Sequence, residues 1–299
     1  MKQLAKGIVL GALRGFAKAT MFGRGRIRRT VGYEVLRSQQ SLVVCGGPPG
    51  ETFVVNSHDH IIGRELFISG EFDFEKFILA YDLIALHRPD RKPKLLIDVG
   101  CNIGTICIPA VVRNYVERAI GIEPDPENCR LFKANVELNG AASRIVLHSA
   151  AAGPTDGDML ELELCSFNLG DHRIRTLGSN EDQTKSIRQK VVVRSSRLDT
   201  ICAVHLDTDL LIWVDVQGFE GHVLAGSTEI LRRRPPLVLE FWPGALCSTG
   251  GFELLKASLA VYSSFIDLGN PGRVRPIAEL DQMPDEIGMG TAQTDILVF

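Results

Sequence analysis

The chain has 299 residues, enough to bury a full α/β core without disulfides or metal, and its 45% hydrophobic and 23% charged content excludes a disordered or fibrous protein. The net charge of −3 argues against a nucleic-acid partner, yet residues 1–33 carry eight basic side chains and no acid, leaving −11 for the rest. Seven scattered cysteines without a C-x-x-C pair suit buried, reduced thiols and a cytoplasmic protein.

In chain order, residues 1–30 form a basic segment whose apolar run GIVLGAL stops at Arg14. That is far short of the ~20 residues a membrane span needs. Leu4, Ile8, Ala12 and Phe16 fall near helical spacing. The segment therefore fits either an amphipathic helix on an anionic membrane surface or a terminal helix packed on the domain.

Residues 31–92 are expected to form a small cap or extension, and residues 93–299 the main domain. From Val31 to Val55 the alternation is β-like, broken by the turn CGGPPG, and Phe74 to His87 has helical periodicity. From Lys94 onward strands and helices alternate. LLIDV is a strand, Ile103–Asn114 a helix and RAIGIE a strand. PENCRLFKANVELN is a helix opened by Pro126 and closed by Asn139-Gly140. SRIVLHSAA is a third strand, and MLELELC and QKVVVRS pair around a polar loop, residues 166–188. LLIWVDV precedes one helix over GFEGHVLAGSTEILRRR; PLVLEF, AVYSSFIDL and TDILVF complete the strands. The pattern implies an α/β fold with a mostly parallel, doubly wound sheet, whose ligands collect beyond the carboxyl ends of its strands.

The turn DVGCNIG after the first main strand is where a nucleotide-bearing ligand would sit. Its glycines, Gly100 and Gly104, suit a tight turn at a helix start. A dinucleotide fingerprint needs a glycine where this chain has Asn102. Asp98 would repel a pyrophosphate but suits a ligand carrying an ammonium and a sulfonium. Glu123 follows Gly104 by 19 residues, well placed for ribose hydroxyls, and Asp125 completes the EPDP that begins there. Asp98 and Asn102 thus favour S-adenosylmethionine over a nicotinamide dinucleotide.

On these motifs the chain resembles the FkbM family of S-adenosylmethionine-dependent methyltransferases. The resembling blocks run from GEFDFEKF through IDVGCNIG, GIEPDPENCRLFKANVELNG, SAAAGPTDGD, RLDTI and VDVQGFEGHVLAGSTEIL to PLVLEFWP. The resemblance implies a Rossmann-like class I methyltransferase fold with an antiparallel strand near the C-terminus and a small N-terminal extension. It implies cofactor contacts at Asp98, Gly100, Asn102, Gly104 and Glu123, with Asp125 beside them. Asn135 and Asn139 match the family's asparagines in the next helix. Asp215–Glu220 matches its D-x-E/Q-G-x-E block, with Gln217 where many relatives have glutamate and Trp213 where lysine is frequent.

O-methylation of a hydroxyl on a sugar, glycan precursor or other small molecule is the activity this implies. An alcohol acceptor loses a proton, so a general base helps. Asp215 and Glu220 are candidates for it, each with a plainer role as a turn or helix-start carboxylate. His58 and His60 would share a face if NSHDHIIG were extended; they are further candidates, with a metal site not expected. The cap segment 31–92 is expected to cover the crevice and influence acceptor choice. The alternative is a catalytically weak interaction module on a cofactor fold, peripheral to a membrane through residues 1–30.

Overall fold

The computed structural model describes residues 25–39, 41–46, 50–175, 189–203 and 209–299. Most of the basic N-terminal segment, residues 47–49 of the first turn and residues 176–188 of the polar loop lie outside them.

The chain opens with helix α1 (Gly25–Arg37), where the alternation from Val31 had suggested a strand. Only Tyr33 of α1 is buried; its hydroxyl donates to the Asp59 carbonyl, while Val35 stays exposed. The less exposed positions 30–33 and 36–37 are separated by exposed residues 34–35, a helical spacing that a short window reads as alternation. The expected hairpin follows: β1 (Leu42–Gly46) and β2 (Thr52–Asn56) pair antiparallel. Helices α2 (Ile62–Ser69) and α3 (Phe74–His87) complete the N-terminal segment.

The main domain then runs β3 (Leu95–Val99), α4 (Cys107–Val112), β4 (Arg118–Ile122), α5 (Pro126–Leu138), β5 (Ile145–His148), β6 (Ala151–Ala152), β7 (Met159–Leu164), β8 (Arg173–Ile174) and β9 (Gln189–Ser196). It continues with α6 (Leu198–Ile201), β10 (Leu210–Val214), α7 (Glu220–Ala225), α8 (Thr228–Leu231), β11 (Leu237–Phe241), α9 (Pro243–Ser248) and α10 (Gly251–Leu259). Last come β12 (Ser264–Asp267), β13 (Val274–Pro276), a short 3₁₀ turn, α11 (Met283–Ile287) and β14 (Thr294–Val298).

Two predicted helices are shorter than the sequence suggested. Gly104 has φ +95°, which no right-handed helix accepts, so α4 begins at Cys107 rather than Ile103. The single helix expected after β10 breaks into α7 and α8 at Gly226, whose Cα is wedged against the Gly153 carbonyl.

The principal sheet has eight strands in the order β13-β12-β14-β11-β10-β3-β4-β5. Strands β3, β4, β5, β10 and β11 run parallel, and β14 is antiparallel to β11. This is the doubly wound, Rossmann-like order, with its antiparallel strand near the C-terminus. Strands β3, β10 and β11 are buried throughout, as expected of strands covered on both faces. Leu96, Leu211 and Val238 face a core shared with α3, α4 and α5, while Ile97, Ile212 and Leu239 face a second core under α7 and α10. Phe53, Val55, Leu66 and Phe77 belong to the first core, so the N-terminal segment packs directly on the main sheet. A smaller sheet, β6-β9-β7-β8, stands beside it.

The hairpin is pinned to α5 by two side-chain amides. Asn135 Oδ1 accepts from the Val54 amide (2.6 Å) and Asn139 Oδ1 from the Thr52 amide (2.9 Å), while Asn139 Nδ2 returns a bond to the Thr52 carbonyl (2.7 Å). Four residues of helix rise about 6 Å and two residues of strand about 6.7 Å, so the spacings match. Asn135 Nδ2 also donates to the Ile103 carbonyl (3.0 Å) inside the DVGCNIG turn. Six of the seven cysteines are buried and all are free; Cys247 is exposed. No helix among the described residues is long and apolar enough to cross a membrane.

Candidate active site

The strand order reverses between β3 and β10, and the carboxyl ends of β3, β4 and β10 open there into a cavity of about 970 Å³, counting its mouth. This is the crevice a doubly wound sheet reserves for ligands. Gly100 (φ +84°) makes the turn after β3 possible: a Cβ there would lie 1.9 Å from the Asp215 carbonyl, so the β3 and β10 turns meet backbone to backbone.

Glu123, at the end of β4, is 5% exposed. Its Oε2 accepts from the Asn102 amide (3.0 Å) and its Oε1 from the Asp125 amide (2.8 Å). Glu123 lines the cavity, and a carboxylate oxygen can accept more than one hydrogen bond. Burial pushes this carboxyl up to about 8, against the two amides that favour its ionised form. Asp98, 2% exposed on β3, is pushed up to about 7 by burial, and its Oδ2 has no hydrogen-bond partner. A buried carboxylate oxygen without a donor is costly, and a ligand donor would relieve it. The pair fits a ligand that presents hydroxyl donors on one side and a cationic group on the other.

Asn102 takes a left-handed conformation (φ +49°), and its Nδ2 donates to the Leu169 carbonyl (2.7 Å), a carbonyl that Asn128 Nδ2 also reaches (3.1 Å). The asparagine thus covers the turn at the point where a dinucleotide fingerprint leaves room for pyrophosphate. Gly104 lies behind the turn, where a Cβ would strike Ile108 and Phe132. Asp125 caps α5 by accepting from the Asn128 amide (2.9 Å), and its side chain points at His172 rather than into the cavity.

Across the cavity, Asp215 follows β10. Its Oδ1 accepts from Gln217 Nε2 (2.8 Å), and burial followed by the nearby Asp295 charge pushes it up to about 6. Gln217, at φ +55°, also donates to Glu240, whose carboxyl burial holds well above the usual range. Trp213 lines the cavity and packs against Phe77.

Three of the predicted base candidates stand outside the cavity wall. Glu220 is wholly buried and absent from the cavity wall; its Oε1 accepts from the Val216 and Gly218 amides (3.1 Å each) and holds the turn after β10. His58 and His60 also stand outside the wall. The Asp59 carboxylate gathers the amides of Ile61, Ile62 and Gly63, so NSHDHIIG is a tight turn, not the extended strand the alternation assumed. His60 lies beside Arg37 and Phe167 instead.

Residues that local pattern reading passed over complete the wall. Phe72, Asp73 and Lys76 come from the turn into α3 and its first turn, and Asp295 from β14. Lys76 Nζ sits 3.0 Å from both Asp73 Oδ2 and Asp295 Oδ2. Burial opposes its charge, but the Asp295 and Asp73 carboxylates outweigh that and hold its pKa above the ordinary value. The first three lie inside GEFDFEKF, so the signal was present without a role attached to it.

Residues 98–247 match the Methyltransferase FkbM domain. The chain belongs to the FkbM methyltransferase family. This FkbM chain is 28% identical over 170 residues to the 2-O-methyltransferase NoeI of Sinorhizobium fredii, covering 52% of itself and 65% of NoeI. It is 29% identical over 126 residues to ajmaline N-methyltransferase of Rauvolfia serpentina, covering 41% of itself and 40% of that enzyme. It therefore spans less than two thirds of the length of either relative. Among solved structures it is similar to Pyrococcus horikoshii TYW2 in complex with MeSAdo, at 12% identity and a TM-score of 0.39, over 87% of this chain and 72% of that one. The fold of the FkbM chain rests on its own strand order.

Proposed function

We propose that this FkbM-family protein uses S-adenosylmethionine to methylate a hydroxyl oxygen of a sugar or another small hydroxylated molecule. The observation that carries this reading is the pairing of Glu123, held by two backbone amides, with the unpartnered Oδ2 of Asp98 in one cavity. Glu123 suits the ribose diol and Asp98 the ammonium of the methionine end. Asn102 over the turn disfavours a pyrophosphate. When bound, S-adenosylmethionine supplies a methyl group on a sulfonium leaving group, so most of the rate enhancement can come from alignment.

Asp215 is the residue best placed to take the acceptor's proton. Its Oδ1 is occupied by Gln217, which leaves Oδ2 for the hydroxyl. A carboxylate held near 6 is ionised at neutral pH yet more basic than an exposed aspartate. Gln217, bonded to both Asp215 and Glu240, keeps that side chain in place.

Calorimetric titration of S-adenosylmethionine and NAD into wild type and Glu123→Ala tests the cofactor. Binding of S-adenosylmethionine alone, weakened at least ~10-fold by the substitution, is expected. NAD binding in its place would reject the reading.

A further inference from the structure

The cavity does not end at Asp215. A second cavity of about 510 Å³, counting its mouth, adjoins it and shares Lys76 and Asp295 as wall residues. Its remaining polar lining includes Glu240, Gln293 and Thr294. A ligand reaching from the first cavity toward the second passes the Lys76–Asp295 ion pair.

This junction is built from three distant parts of the chain. Asp73 and Lys76 stand at the start of α3, Asp215 follows β10 and Asp295 lies on β14. Lys76 bridges Asp73 and Asp295 at 3.0 Å each, and all four residues line the first cavity. Among the described lining residues Lys76 is the one lysine or arginine. Three carboxylates therefore face a single ammonium, apart from Asp98, which the methionine end of the donor would occupy. The wall is rich in acceptors and short of donors. Hydroxyl groups supply donors without adding charge, whereas a carboxylate or phosphate on the acceptor would meet like charge there. Trp213 adds an aromatic surface in the same wall, suited to the C–H face of a ring.

We infer that Asp295 and Lys76 are specificity-determining residues for the acceptor, binding a vicinal diol of an uncharged polyhydroxylated ring and rejecting its anionic counterpart. This rests on the methyl-transfer reading above. Asp295 accepts from the diol, and Lys76, fixed between two carboxylates, donates to a ring or hydroxyl oxygen.

The test uses the full chain, S-adenosylmethionine labelled in its methyl group, and a paired panel of neutral methyl hexopyranosides and the corresponding methyl hexuronides. Donor affinity is measured separately by calorimetry. Label is expected in neutral glycosides and not in the uronides. Asp295→Asn should raise KM for the neutral acceptor about 10-fold or more with donor affinity unchanged, and kcat read at pH 8, where Asp215 is ionised with or without the Asp295 charge, should change by less than about 3-fold. A merely structural role would move kcat and donor affinity with KM. Equal labelling of the uronides, no labelling of any glycoside by protein that binds the donor, or an Asp295→Asn effect on donor affinity would overturn the inference. Absence of donor binding by wild type would instead overturn the methyl-transfer reading, and the inference would fall with it.

Discussion

Glu123 carries two jobs in one carboxylate: it fixes the DVGCNIG turn through the Asn102 amide, and it keeps acceptor capacity for a ligand. Its folded pKa, raised by burial to about 8, means that at neutral pH most unliganded molecules hold it protonated. A diol donating to it favours the ionised form, so donor binding should release a proton. Affinity for S-adenosylmethionine should rise with pH up to about 8 and level off above it, and calorimetry in buffers of different ionisation enthalpy should register the release. Glu123→Gln should bind more weakly and lose the rise near pH 8, keeping only the part near pH 7 that belongs to Asp98.

Glu220 makes a separate residue-scale case. Burial raises it from 4.5 to about 7 although its partners are backbone amides. A carboxyl with a raised folded pKa adds stability that is complete below its unfolded value and is lost as pH climbs through the folded one. A shift of this size corresponds to on the order of 3 kcal/mol. Glu220→Gln should therefore raise Tm relative to wild type at pH 8 and not at pH 5, in thermal scans at both. A uniform loss at both would mean that the ionised form holds the turn after β10.

At the scale of elements, the asparagine pair on α5 replaces a neighbouring strand for β2. Asn139→Ala removes a donor and an acceptor from the Thr52 backbone, which is part-buried. It should cost about 1–3 kcal/mol in denaturant titration, with the loss showing in the hairpin's exchange protection first. The family resemblance matched these asparagines to the helix after β4, without revealing what they hold. The helix itself was legible, because Pro126 and Asn139-Gly140 are chemical start and stop signals. The neighbouring α4 was misjudged by four residues because Gly104 could have been either a permissive helix residue or a left-handed break, and only packing decides. Helix α1 was lost for a related reason: over the seven residues from Val31 to Arg37, apparent alternation is compatible with a helix that buries Tyr33 alone.

For the whole molecule, periodic alternation of apolar runs was enough to expect a parallel, doubly wound sheet, since strands covered on both faces carry their own signature. The part of the cavity wall at the ends of β3 and β4 was legible too, because its residues cluster in two short motifs on consecutive strands. The part built by Lys76 and Asp295 was not. Lys76 and Asp295 are separated by most of the chain and meet only because β14 inserts antiparallel beside β11. Gly100 shows the same dependence on long-range geometry: its Cβ would collide with the Asp215 carbonyl. Gly100→Ala should therefore abolish donor binding and lower Tm together, measured by calorimetry and thermal scan, whereas Asp295→Asn should leave both near wild type.

Asn135 gives the N-terminal hairpin a line of sight to chemistry it does not touch. One amide group bonds the Val54 backbone with its oxygen and the Ile103 carbonyl with its nitrogen, so the hairpin and the DVGCNIG turn share a single rotamer. A ligand that tightens the turn must also steady that rotamer. The Val54 amide proton is therefore a remote spectroscopic reporter of occupancy, its exchange slowing on donor binding in wild type and ceasing to respond in Asn135→Leu.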